Sequence, residues 1–156
     1  MQADLVAPRE ELDFYDARGI DLPRPMTALE AWNIAMRKPL PGVALAFRIR
    51  DAISSLFGVK RIGGFSGPQN RTPIVGDKLD FFLVERNEPE CLTLSERDRH
   101  LEVVTCITTY GQRLTITSSV KVHNGFGKVY MIPVAPAHKL IVSTMLRRMQ
   151  RELDGD

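Results

Sequence analysis

The sequence predicts an α+β domain, a curved antiparallel sheet of about six or seven strands wrapped round a long C-terminal helix, with two short helices after the first strand. Three observations carry this reading. From Leu79 onward, segments 81–86, 91–96, 100–110 and 113–123 have strand patterning and are separated by brief polar turns, which makes a meander. The last two segments can be registered against each other, and the register sorts apolar residues onto one face. The chain then closes with a long amphipathic helix, the element left to bury that face.

Taken in order, residues 12–18 carry a short apolar/polar alternation and are expected as the first strand. Thr27 to Glu30 form a capping box, and Leu29, Trp32 and Met36 share one face of the helix it starts. Pro39 disfavours helical geometry at Lys38 and keeps that helix short. A second helix is expected over 43–57, with Gly58 as its left-handed stop. Leu45, Ile49, Ala52, Ile53 and Leu56 form its core stripe, and Phe47 falls almost opposite, placed to cover another element or a partner. Residues 60–76 read as a surface loop or lid. Their glycines do not make a dinucleotide fingerprint, because Pro68 follows Gly67 and no amphipathic helix opens there; the absence of GK[ST] excludes a P-loop.

The final hairpin is fixed by its turn. Gly111-Gln112 suits a two-residue type II′ turn, which pairs Tyr110 with Arg113. One face then carries Leu101/Val122, Val103/Val120, Thr105/Ser118, Ile107/Ile116 and Thr109/Leu114, and is assigned as the inner one. The other carries Glu102/Lys121, Val104/Ser119, Cys106/Thr117 and Thr108/Thr115. Carried back one strand, the inner face includes Leu92 and Leu94, so Cys91 and Cys106 point outward. A tight two-residue turn at Asp98-Arg99 would set the two cysteines directly opposite each other. Asn124-Gly125 ends the sheet, 127–134 is open between strand and short helix, and the long helix is expected over 136–153. His138, Ile141, Val142, Met145, Leu146, Met149 and Leu153 cover its apolar arc; Lys139, Ser143, Arg147, Gln150 and Arg151 cover the other.

Composition narrows the function classes. With 156 residues and an apolar fraction of 44%, the chain is read as one domain over 1–156. A net charge of +2, from 21 basic and 19 acidic residues, argues against nucleic acid as a partner. The N-terminal segment carries acids where a signal peptide needs an apolar run, and no apolar stretch approaches the ~20 residues of a membrane span, so a cytoplasmic protein without stable membrane insertion is expected. Cys91 and Cys106 lack CxxC spacing and have no histidine at zinc-site spacing, so neither a metal nor a cofactor is expected.

Asp98, His100, Leu101, His123, Asn124, Gly127, Tyr130, Pro136 and His138, spread over 98–149, resemble the hallmark half of a bacterial family catalogued as domain of unknown function 2867. The order strand, two helices, meander and long helix is similar to the helix-grip fold of START-domain and plant pollen-allergen proteins. The resemblance implies a helix-grip relative with an apolar cavity where helix and sheet fail to close. It brings no assigned catalytic residues.

The expected partner is therefore a small apolar or amphipathic molecule held between sheet and helix. Its cavity would be lined by His138, Thr105, Ser118, Ile107, Ile116, Val103, Val120, Leu92, Leu94, Met145, Met149 and Trp32. His138, near the N-terminus of its helix, can orient a ligand carbonyl or act as a base, as in a cyclase or dehydratase; the plainer reading is a structural histidine at the sheet edge. Thr105 and Ser118 either fix a ligand or bond each other. His100 and His123 flank one end of the hairpin and would need a third ligand to hold a metal. A protein-interaction module built on 60–76, Phe47 and the basic helix side is the remaining alternative. No GxSxG motif occurs.

Overall fold

The computed structural model describes residues 2–37, 43–56 and 72–155. Its elements run β1 (Phe14–Asp21), α1 (Ala28–Met36), α2 (Val43–Leu56), β2 (Lys78–Leu79), β3 (Phe82–Glu88), β4 (Cys91–Arg97), β5 (Leu101–Tyr110), β6 (Arg113–Val122) and α3 (Gly125–Asp154). The fold is α+β, with a six-stranded antiparallel sheet in the order β1-β6-β5-β4-β3-β2 and a long C-terminal helix. Gly58 and residues 60–71 of the expected loop lie outside the described residues, as do the side chains of Leu45, Ile49, Ile53 and Leu56. Ala52, expected in the core stripe of α2, is exposed, whereas Phe47 meets Phe81 with ring centroids 6.0 Å apart.

The β5–β6 register is the expected one at every pair from Leu101↔Val122 to Tyr110↔Arg113. Gly111 sits at φ +56°, the conformation that lets a two-residue turn follow the strand twist. The β4–β5 connection is longer than the expected tight turn. Asp98 Oδ1 accepts from the backbone N–H groups of His100 and Leu101 at 2.7 and 3.0 Å, and pairing begins at Arg97↔Glu102. A shift of two residues preserves the faces, so Leu92 and Leu94 still point inward opposite Ile107 and Thr105.

Among the described residues, α1 as well as α3 covers the inner face. α1 packs over β3, β4 and β5 and also touches α3, while α3 lies along β1. Thr27 caps α1 by accepting from the Glu30 N–H at 3.1 Å, as its capping box predicts; the Glu30 carboxylate itself goes to Arg24 at 2.6 Å. Ala28, Ala31, Trp32 and Ile34 of α1 enter the same core as Leu92, Leu94, Ile107, Ile116, Val142, Leu146 and Met149. α1 thus occupies space that the sequence reading left between the sheet and the terminal helix.

α3 begins eleven residues earlier than expected. Asn124 caps it, accepting from the Gly127 N–H at 3.0 Å. Gly127 is required there, since a Cβ would stand 2.6 Å from the His100 carbonyl oxygen. Pro133 and Pro136 lie inside the helix and remove two of its hydrogen bonds, but both are exposed, where water can meet the freed carbonyls. As a 30-residue helix, α3 is long and apolar enough to cross a membrane by length and composition, with 11% of its most apolar stretch buried.

The outer face is buried as well, by an N-terminal strap. The Asp4 N–H meets Cys106 Sγ at 3.4 Å, the Val6 N–H donates to Ser119 Oγ at 3.0 Å, and the Arg9 guanidinium lies 3.4 Å from the centre of the Tyr15 ring. Beneath it Cys91, Thr93, Cys106, Thr117 and Ser119 are no more than 2% exposed. Extended backbone suits this polar strand face, because its N–H groups find acceptors in the hydroxyls and thiols.

Candidate functional site

The expected cavity lining is core. Leu92, Leu94, Ile107, Ile116, Thr105, Ser118, Val120, Trp32 and Met149 are all buried, and Trp32 stands edge-on to Phe82 at 6.2 Å. Val103 is half-buried, and Met145 borders a cleft of about 290 Å³ between α1 and α3 together with Ile34 and Arg148.

A larger cleft of about 650 Å³ opens between β1 and α3. None of the twelve expected residues lines it. Its apolar lining is Ile20, Leu140 and Leu146, and its polar lining is Arg18, Lys139, Ser143 and Arg147. β1 supplies its side because Phe14, Asp16, Arg18 and Ile20 alternate onto the inner face, opposite Val120, Ser118, Ile116 and Leu114. Gly19 permits the close pairing: a Cβ there would meet the Leu114 carbonyl oxygen at 2.5 Å. Arg18 donates to Ser143 Oγ at 2.8 Å and pairs with Asp16 at 3.0 Å. Asp16 offsets that cation, leaving Lys139 and Arg147 as the cleft's surplus positive charge. Residues 125–151 contain no acid, so α3 adds nothing negative to this wall.

The same helix face continues away from the cleft as an apolar row. Val129, Ile132 and Leu140 are 65%, 73% and 65% exposed, and helical spacing puts them in line with Ser143 and Arg147. The sequence reading puts Lys139, Ser143 and Arg147 on the arc opposite the apolar one and names neither Arg18 nor Ile20 as a site residue. The signal is Gly19, which the sequence reading leaves just past its first strand (12–18) and the structure places inside β1, where a glycine marks a close approach of backbone.

His138 lies beside the cleft without lining it. Its Nε2 is 3.0 Å from Ser118 Oγ, and its ring meets Phe14 edge-on at 5.7 Å. Burial holds its pKa below the ordinary value of 6.5, with Asp16 pulling the other way. Thr105 and Ser118 face each other as expected, but Ser118 pairs with His138. The rings of His100 and His123 have different partners: Asn124 and Arg99 meet the His100 ring at 2.8 and 3.2 Å, while His123 meets Glu102 at 3.1 Å. The Glu102 carboxyl is held below its usual range by Arg97 first and His123 second.

An α+β chain with a cleft between its first strand and closing helix is the class these observations define. The model of the family described as "Protein of unknown function (DUF2867)" matches residues 9–145, and the chain belongs to that family. No curated protein and no solved structure matches the chain.

Proposed function

We propose that this protein is a helix-grip relative that binds an amphipathic anion, such as an alkyl carboxylate or alkyl phosphate, in the cleft between β1 and α3. The observation that carries the reading is the pairing of an apolar lining (Ile20, Leu140, Leu146) with an acid-poor polar lining of Arg18, Lys139, Ser143 and Arg147. An anionic head takes charge-assisted hydrogen bonds from the polar lining, and its alkyl chain covers Leu140 and runs along Ile132 and Val129. That occupant would give the exposed row an apolar neighbour. α3 stays with the sheet in this reading, because Val142, Leu146 and Met149 belong to the core. The relation to START and pollen-allergen proteins is proposed on element order: one strand, two helices, a meander and the closing helix.

The test is native mass spectrometry of freshly purified protein, followed by thermal shifts with dodecanoate, dodecyl phosphate, dodecanol and inorganic phosphate. Both alkyl anions should stabilise the protein more than dodecanol or inorganic phosphate does. Arg147→Glu should remove most of the gain. Equal stabilisation by dodecanol, or none by any of the four, contradicts the reading.

A second reading makes the Ser118–His138 pair chemical, with Asp16 directly across the strand pair from Ser118. Ser118 is only 2% exposed, and neither cleft is lined by it. Loss of turnover in His138→Ala, once a substrate is found, would favour this reading over simple binding.

A further inference from the structure

We infer that the thiol pair beneath the N-terminal strap, together with Asp4, binds a thiophilic divalent cation of the zinc type. The two cysteines are fifteen residues apart and sit on adjacent strands, with Thr93 paired to Cys106 and Cys91 one diagonal step away on the same face. Their Sγ atoms approach to 3.6 Å, and Asp4 Oδ2 lies 3.9 Å from Cys91 Sγ. The three ligand atoms fall within 4.8 Å of one another, the one such group among the described residues.

These spacings suit tetrahedral coordination. With Zn–S near 2.3 Å and Zn–O near 2.1 Å, two thiolates stand roughly 3.7 Å apart, and a thiolate stands roughly 3.6 Å from a carboxylate oxygen. The sulfurs already have that separation. Asp4 Oδ2 lies 3.9 Å from Cys91 Sγ and within 4.8 Å of Cys106 Sγ, so the carboxylate must close in on the sulfurs; it sits on the strap, with its side chain 38% exposed. Thr93 supplies the outer support expected of a metal site, donating from Oγ1 to Asp4 Oδ2 at 2.5 Å and thereby aiming the carboxylate. A water completes the fourth position from the Asp4 side.

Charge and hardness select the ion. Two thiolates and one carboxylate carry three negative charges. A dication offsets two of them, and the Arg86 guanidinium, 3.3 Å from Asp4 Oδ1, is shared with Glu88 at 2.7 Å. Calcium and magnesium, which require six or more oxygen ligands, find too few here. Without the cation burial favours the protonated Cys106 thiol, whose pKa is pushed up to about 11. Binding follows Zn²⁺ + 2 RSH + RCOO⁻ → Zn(SR)₂(OOCR)⁻ + 2 H⁺. The bound ion fastens the strap to β4 and β5, joining Asp4 to Cys106, 102 positions away. The site is on the sheet face opposite α3, so it stands or falls independently of the cleft.

The test uses the full, tag-free chain, reduced and freed of metal, with both thiols counted under denaturing conditions before titration. Zn²⁺ should bind one to one and raise the melting temperature, while Mg²⁺ leaves it unchanged. Co²⁺ should give thiolate charge-transfer absorption and the intense visible bands of a tetrahedral site. Because a thiol gives up its proton when it binds as thiolate, Zn²⁺ affinity should rise with pH. Cys106→Ser should abolish the thiolate absorption. Asp4→Asn alters a half-buried strap position outside the hydrophobic core, and should weaken Zn²⁺ by at least about 10-fold. Absence of saturable Co²⁺–thiolate absorption in the reduced chain overturns the proposal, as does Zn²⁺ affinity unaltered in Asp4→Asn.

Discussion

The two halves of α3 have similar apolar content and opposite fates. Toward its C-terminus, Val142, Leu146 and Met149 recur at helical spacing and are 5%, 3% and 2% exposed, locked against α1 and the sheet. Toward its N-terminus, Val129, Ile132 and Leu140 also fall on one face, but that face looks away from the core. The first half is positioned by its cap, by Gly127 against His100 and by His138 against Ser118 and Phe14. Apolar residues that the fold does not use are available for something outside it, and the row they form leads into the basic cleft.

Four outcomes would sharpen or break this contrast. The largest is Leu146→Ala, which should lose about 2–5 kcal/mol in urea unfolding, because its neighbours are fixed by two helices and a sheet. A loss below about 1 kcal/mol would mean that the second half is not anchored as described. Next, Gly127→Ala should cost about 1–3 kcal/mol, since the added methyl must displace the His100 carbonyl or the helix start. Equal stability would show that the helix start has slack.

The third concerns His138, where the two halves meet. Its folded pKa lies below its unfolded value of 6.5, because burial disfavours the imidazolium. Below 6.5 the unfolded chain binds the proton more readily than the folded one. The contribution is therefore complete above pH 6.5, declines as pH falls from there toward the folded pKa, and is constant below it. His138→Gln should flatten that limb in melting temperature against pH. The smallest effect is Leu140→Gln, expected within about 0.5 kcal/mol of the parent stability while weakening alkyl-anion binding.

How much of this was legible depended on the range of the interactions. The β5–β6 register followed from one glycine turn and a short-range alternation, and every pair is as read. The inner placement of Leu92 and Leu94 survived an error in the Asp98 turn because parity, not turn length, sets the face. Three features were not legible, and all depend on distant partners. α1 fills the expected cavity through Trp32 and Ile34, whose packing against β3–β5 no local pattern announces. The strap at Asp4 and Val6 has no periodicity, so burial of Cys106 and Ser119 was invisible. Arg18 becomes a cleft residue only because β1 pairs with β6, nearly a hundred residues later. The early start of α3 is a local miss: the sequence reading takes Asn124-Gly125 as the end of the sheet and starts the helix at Pro136, whereas Asn124 caps the helix and exposure makes the interior prolines tolerable.

The most direct test is a residue-resolved NMR titration with dodecyl phosphate. The account predicts saturable shifts at Arg18, Lys139, Ser143 and Arg147 that extend to Leu140, Ile132 and Val129, with Ile107 and Ile116 unmoved. Shifts centred on Ile107, Ile116 and Thr105, or none that saturate, would contradict it.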